Sequence, residues 1–243
     1  MRVPRIYQDI ELHTGQTVEL ADAPHHHLKN VLRLRQGATV HVFNGHGGYF
    51  VCELCAIEKH TSRILIQEFH DDERESPLTI TLVQGISRGQ RMDYTLQKSV
   101  ELGVSEVVPV LTRFAGVALD QKQRLKRMQH WRGVIVSACE QCGRNRLPVL
   151  HDVVMLEEWL LQQQSDLKLL LHPDTSTSLG QIDQQPERIC LIAGAEGGFS
   201  PEEVTMATEN GCIPITLGPR VLRTETAALT ALTACQVIWG DLK

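Results

Sequence analysis

Leu217-Gly218-Pro219-Arg220-Val221-Leu222-Arg223-Thr224-Glu225-Thr226-Ala227-Ala228 follows a short apolar segment and leads into an apolar run that reaches residue 239. Gly218 and Pro219 read as a turn, and Thr224-Glu225-Thr226 as the capped start of a helix. The exposed N–H groups of a helix start make that end positive, so acids are favoured there and cations are not. Arg220 and Arg223 are therefore electrostatically misplaced beside it, which marks them as candidates for function. Upstream, Gly194-Ala195-Glu196-Gly197-Gly198 follows another apolar segment. It precedes Ser200-Pro201-Glu202-Glu203, a helix start with a Ser cap, Pro at the first position and acids in the first turn. Two glycine-bearing turns at the ends of adjacent strands are a way for an α/β protein to build a small-molecule site. Neither turn is a P-loop or a dinucleotide fingerprint, because the Gly spacing and the Lys-Ser/Thr pair are missing.

Working outward, apolar strands at 80–83, 107–111, 167–171, 189–193 and 213–217 alternate with helical patterns at 92–102, 123–142, 155–164, 201–210 and 225–239. Such alternation predicts a parallel sheet covered by helices. Within it, Lys98 and Glu101 stand three apart, the spacing of an ordinary intrahelical ion pair. The first part of the chain has a different grammar. Strands at 39–43 and 49–54 flank the turn Asn44-Gly45-His46-Gly47-Gly48; a third strand follows at 63–67, and one helix fits 24–32 with Asp22 as N-cap. The charged stretch 71–77, closed by Pro77, reads as a linker. The division is thus a β-rich domain over 1–72 and an α/β domain over 78–243.

With 42% apolar residues in 243, a packed core is expected. No stretch approaches the roughly 20 apolar residues of a membrane helix, and the N-terminus lacks an apolar signal core. The expectation is a cytoplasmic protein with no membrane partner. A net charge of −5 counts against non-specific nucleic-acid binding but leaves room for a local basic patch. The seven cysteines are an odd, scattered set, which argues against a disulfide framework. Cys52-x-x-Cys55 and Cys139-x-x-Cys142 fall in different regions, so four converging ligands are not expected, and no metal is predicted. The run His25-His26-His27 reads as solvated or facing nucleic acid rather than as a metal site. In the last helix, Ala227, Ala228, Leu229, Ala231, Leu232, Ala234, Cys235, Val237 and Ile238 leave almost no polar face. A helix apolar all round is buried on all sides, either inside one chain or, the favoured reading at the end of a small domain, against a second copy of the chain.

Taken together, these runs resemble the SPOUT class of methyltransferases and, more closely, the RsmE family of 16S ribosomal RNA uridine N3-methyltransferases. The resemblance covers the whole chain. It rests on Pro4-Arg5-Ile6-Tyr7 and His27-Leu28-Lys29-Asn30-Val31-Leu32-Arg33 in the front region, then on Ser87-Arg88-Gly89, on 97–104, on Ala138-Cys139-Glu140-Gln141-Cys142-Gly143-Arg144, and most strongly on 217–228. It implies a PUA-like, RNA-binding front domain and a SPOUT-type parallel sheet with a C-terminal trefoil knot, an exception to the rule against threaded chains. It also implies a homodimer. The implied reaction moves a methyl group from S-adenosylmethionine to N3 of one uridine, uracil 1498 of 16S ribosomal RNA, and the acidic chain is expected to prefer the assembled small subunit to naked RNA. One departure is Ala195, where the family usually has Pro; alanine leaves φ less restricted.

On this resemblance Leu171, His172, Gly194, Ala195, Gly197, Gly198, Leu217, Gly218, Arg220, Val221, Leu222 and Thr226 hold the cofactor. Arg223 stabilises charge on the uracil, and Glu225 or Glu196 holds that arginine or accepts the proton. Arg2, Arg5, His27, Arg33, Arg35, Arg88, Arg91 and Arg144 contact RNA. Two other readings stay open: a catalytically silent RNA-binding assembly factor, and a SPOUT enzyme acting on a ribose 2′-hydroxyl.

Overall fold

The computed structural model describes residues 3–115, 120–162 and 165–242. Arg2 lies outside them. The chain forms two compact units, one of Met1–Glu75 with Cys139–Leu147 and one of Ser76–Ala138 with Pro148–Lys243. A cut by sequence order at 72–78 misses the return of 139–147 to the first unit. Nothing in the local pattern of that segment signals it, because the helix it ends is continuous.

The first unit holds a five-stranded mixed sheet in the order β1-β3-β4-β5-β2. Its strands are β1 (Arg5–Tyr7), β2 (Thr17–Glu19), β3 (Thr39–Phe43), β4 (Tyr49–Ile57) and β5 (Ser62–His70). β1 runs parallel to β3 and the other pairs are antiparallel. Alternation turns Val40, Val42, Cys52, Leu54, Ile64 and Ile66 into one core with Ile6 and Leu28. β1 and β2 have three residues each, too short for alternation to reveal them. The expected helix begins earlier, as α1 (Asp22–His26), and widens into a π turn at His27–Val31. Asp22 is not the cap: Ala21 takes that position with no side-chain bond, and Asp22 lies in the first turn. Arg33, just beyond, has φ 52°, a left-handed conformation that costs a non-glycine residue energy. His25 is buried and bonded to Ser62 Oγ at 2.7 Å, so it is a core group, while His26 is exposed.

The returning segment is held by a buried polar network. Arg144 pairs with Glu75 through two bonds, Nε–Oε1 at 3.1 Å and Nη2–Oε2 at 2.5 Å. Asn145 accepts from Arg5 Nη2 at 2.5 Å and donates to the Asp72 carbonyl. Arg5 also lies 5.3 Å from the ring centres of Phe43 and Tyr49. This corrects the RNA-contact reading of Arg144: with 5% of its surface exposed and its fork engaged by a carboxylate, it is a packing element. Cys139 and Cys142 share this unit with Cys52 and Cys55, contrary to the expectation of separate regions. Even so, among the described residues no three His, Cys, Asp or Glu converge as a metal site.

The second unit is a seven-stranded parallel sheet ordered β12-β10-β11-β6-β7-β8, with β9 also on β7. The strands are β6 (Thr79–Gly85), β7 (Glu106–Leu111), β8 (Val149–Leu150), β9 (Val154–Met155), β10 (Leu167–Leu171), β11 (Arg188–Ala193) and β12 (Ile213–Ile215). The helices are α2 (Arg91–Glu101), α3 (Gln121–Cys142), α4 (Leu156–Leu160), α5 (Pro201–Glu209) and α6 (Thr224–Trp239). β6 is buried along nearly its whole length, as a central parallel strand between two helical layers should be. α5 begins at the Ser200 cap read from its sequence, and the structure adds a reciprocal capping box: Ser200 Oγ accepts from Glu203 N and Glu203 Oε2 accepts from Ser200 N. Lys98 and Glu101 form the expected pair at 2.7 Å. α4 is shorter than expected, and residues 163 and 164 lie outside the described set.

α6 is not buried all round within one chain. Ala228, Ala231, Leu232, Cys235 and Gln236 face inward, while Val237 and Ile238 are about half exposed, as is Tyr94 on α2. Gln236, the polar member, donates to the Leu102 carbonyl at 3.1 Å and accepts from Ser76 Oγ at 2.7 Å.

Arg144→Ala leaves Glu75 as an uncompensated, mostly buried charge and should cost about 3 kcal/mol. Arg33→Ala, on the surface, should cost about 0.5 kcal/mol or less. Denaturant midpoints of the two variants check this.

Candidate active site

The carboxyl ends of β10, β11 and β12 are adjacent because the three strands are parallel neighbours. The turns that follow enclose a cavity of about 620 Å³, a size typical of small-molecule sites. Leu171, His172 and Pro173 line it after β10. Residues 194–198 line it after β11. Leu217, Arg220, Val221 and Leu222 line it after β12, and Arg223, Thr224, Glu225 and Ala227 at the start of α6. Arg91 of α2 joins the wall.

Sequence reasoning named most of this lining. Two residues fall elsewhere. Gly218 is not in the wall; its φ of 113° makes it the turn residue that only glycine adopts readily. Thr226 points to a separate depression beside Tyr94 and Leu229, because it lies two residues, or about 200° of helical rotation, beyond Thr224. The helix start also differs. Arg223 occupies the N-cap position with no side-chain cap bond, and the Thr224 hydroxyl donates instead to the Gly194 carbonyl. An arginine has no acceptor atom with which to cap, so this position is ill-suited to helix stability.

Of the basic residues read as RNA contacts, Arg33 and Arg35 are exposed in the first unit, and His27 is half-buried there. Arg88 and Arg91 sit at the rim of the cavity instead, tied to Glu196. Its Oε1 accepts from the Arg88 amide at 2.9 Å and from Arg91 Nη1 at 2.6 Å. Burial alone would raise the pKa of Glu196. The Arg88 amide, its own amide and the Arg91 guanidinium outweigh that and hold its carboxyl below the ordinary value. Glu225 differs: its Oε2 is buried and finds no hydrogen-bond partner among the described residues.

Two positions that support the 194–198 turn escaped the sequence reading. Gly85 ends β6 where any Cβ would overlap the Ala195 nitrogen and approach the Gly194 carbonyl carbon to 2.8 Å, so the turn lies flat against it. Gln84, fully buried, precedes it. The signal was present: a polar residue and a glycine closing an otherwise apolar central strand.

Residues 74–236 match the RNA methyltransferase domain family, and residues 25–67 the RNA methyltransferase PUA domain family. Ribosomal RNA small subunit methyltransferase E of Buchnera aphidicola (subspecies Schizaphis graminum) is 35% identical over 99% of this chain and 98% of its own. The chain belongs to the RsmE family. The Neisseria gonorrhoeae member, whose crystal structure holds S-adenosylmethionine, superposes with a TM-score of 0.93 at 40% identity over the whole of both chains. A Legionella pneumophila protein described as a methyltransferase, also in complex with S-adenosylmethionine, superposes at 0.98 with 42% identity and full coverage. The front region with its mixed sheet is the PUA-like part of an RsmE chain, and the parallel-sheet unit is the α/β methyltransferase part.

Because its folded pKa is depressed, Glu196 contributes stability above its ordinary value of 4.5, and this is lost as pH falls through the lower folded value. Carboxyl carbon shifts followed by NMR should show Glu196 titrating below 4.5. Arg91→Met should move that titration upward only in part, since the backbone donors remain.

Proposed function

We propose that this chain transfers a methyl group from S-adenosylmethionine to N3 of a specific uridine in 16S ribosomal RNA. The observation that carries the reading is the cavity at the ends of β10, β11 and β12, its walls built from the residues that carry the family resemblance. The fit to the donor rests on the walls themselves. Small residues at 194, 195, 197 and 198 let backbone groups approach a ligand closely, and Glu225 and Asp174 supply negative charge for a cationic one. Leu171, His172 and the 194–198 and 217–222 turns hold the donor in this reading. When bound, the donor supplies a methyl carbon made electrophilic by a sulfonium.

The chain's own groups manage the acceptor. Uracil N3 carries a proton at neutral pH and must lose it. Glu196 is committed to Arg88 and Arg91 and is a weakened base. Glu225, with a buried and unpartnered oxygen in the cavity wall, is the better acceptor for that proton. Arg223, also in the wall and exposed, is placed to stabilise negative charge on the uracil carbonyl oxygens. Arg33 and Arg35 hold RNA phosphates from the front unit, and the target base is flipped from its stack to reach the site. The half-exposed apolar side chains Tyr94, Val237 and Ile238 support a homodimer formed through the α2 and α6 face. Threading of the C-terminal segment into a trefoil knot, action on the assembled small subunit and a cytoplasmic setting belong to the same reading. Among the described residues no helix is long and apolar enough to cross a membrane.

Incubating the protein and donor with unmethylated small subunits, then digesting the RNA to nucleosides, should yield 3-methyluridine. A 2′-O-methylated nucleoside as the product would transfer the assignment to the ribose, and no methylation would favour a silent assembly factor. Arg223→Ala should lower turnover roughly 100-fold or more, with donor affinity within about threefold of wild type because the 194–198 turn is untouched.

A further inference from the structure

Gln84 is the one fully buried glutamine of β6, and it stands between two walls of the cavity. Its Nε2, with two hydrogens shared among three acceptors, lies 3.0 Å from the Gly85 carbonyl, 3.3 Å from the Gly194 carbonyl and 3.0 Å from Thr224 Oγ1. The Thr224 hydroxyl, accepting from Gln84, donates in turn to the Gly194 carbonyl. The three groups close a triangle that joins the end of β6, the turn after β11 and the first residue of α6. The Gly194 carbonyl thereby receives two donors, which fixes the orientation of its peptide. Gly85 supports the same peptide from beneath, leaving no room for a Cβ. Ala195 does not lock its own φ as a proline would; the far end of the turn is held by the Gly198 amide on the Ala195 carbonyl and by Glu196 on Arg88 and Arg91, and the Gly194 peptide by these side-chain bonds and Gly85. Gln84 itself does not line the cavity.

We infer that Gln84, acting through Thr224 and the Gly194 carbonyl, is the positioning residue that sets the separation between the 194–198 and 223–225 walls. It thereby governs affinity for the methyl donor. This rests on the reading of the cavity as the donor site. A buried amide whose two hydrogens are shared among these acceptors is not replaced by an apolar side chain of the same size, and its loss leaves them short of a donor.

Gln84→Met keeps the volume and removes the bonds; Thr224→Val removes the bridging hydroxyl and Thr224→Ser retains it. Calorimetric titration with S-adenosylmethionine should show wild type and Thr224→Ser binding alike. Gln84→Met and Thr224→Val should each bind roughly tenfold or more weakly, and the double variant little worse than either, because all three act on one link. Amide hydrogen exchange of peptide 193–200 in the donor-free proteins should be faster in Gln84→Met and Thr224→Val than in wild type. That measurement does not depend on the donor. If exchange there is unchanged in folded Gln84→Met, or in Thr224→Val should Gln84→Met not fold, the inference is wrong. If exchange rises but donor affinity holds at the wild-type value, the link exists and does not govern binding, which also overturns it. If wild type itself fails to bind the donor while exchange responds as expected, the reading of the cavity fails and the tie between the walls stands.

Discussion

A peptide lying flat on a glycine is the constraint from which the site follows. β6 and β11 are parallel neighbours in which Gln84 is paired with Ala193, so both chains leave the sheet at the same edge. The residue after each pairing decides how closely the two exits approach. At Gly85 no side chain intervenes, and the Gly194–Ala195 peptide occupies the space a Cβ would need. That contact turns the 194–198 segment across the ends of the strands, where it meets the residues that follow β10 and β12. With a side chain at 85 the turn would have to lift, and the cavity would lose one wall.

Charge is distributed around that cavity with a clear division of labour. Glu196 and Arg91 neutralise each other at the rim, and the Arg88 amide strengthens the arrangement by stabilising the carboxylate. Among the described residues Arg223 and Glu225, which flank the first residue of α6, form no such pair with each other. An arginine at an N-cap and a carboxylate oxygen buried without a partner are both unfavourable for the isolated protein. Their coexistence in one wall fits a surface shaped for a ligand that brings both donors and acceptors.

Much of the architecture could be read from pattern. Alternating apolar strands and helices announced the parallel sheet, because a strand buried on both faces leaves a continuous apolar run. The Ser200 N-cap was legible because the Ser, the Pro and the acids that mark a helix start are neighbours in sequence. The two glycine-bearing turns stood out because each couples glycine to charge after an apolar strand, and in the later one Arg220 and Arg223 contradict the helix start beside them. The short strands β1 and β2, the π turn after α1 and the exposed half of α6 were not legible. Three residues carry no usable periodicity, and the apolar run of α6 is the same whether its faces meet the sheet or solvent.

Arg144 shows most plainly where pattern stops. As sequence it is a basic residue in one of the stretches on which the family resemblance rests; in the folded chain it is sealed against Glu75, sixty-nine positions away. Gln84 makes the complementary point, since its partners Gly194 and Thr224 lie 110 and 140 positions downstream. Local sequence by itself determined the five longer strands and most helices of the second unit and the charged turns that follow them, because those depend on neighbours within a few residues; the two-residue strands β8 and β9 were not legible. Tertiary structure alone decided which arginines are free to meet a ligand, which carboxylate is already paired and which buried amide ties the walls together. Those properties belong to contacts between distant segments, and they exist only once the chain has closed on itself.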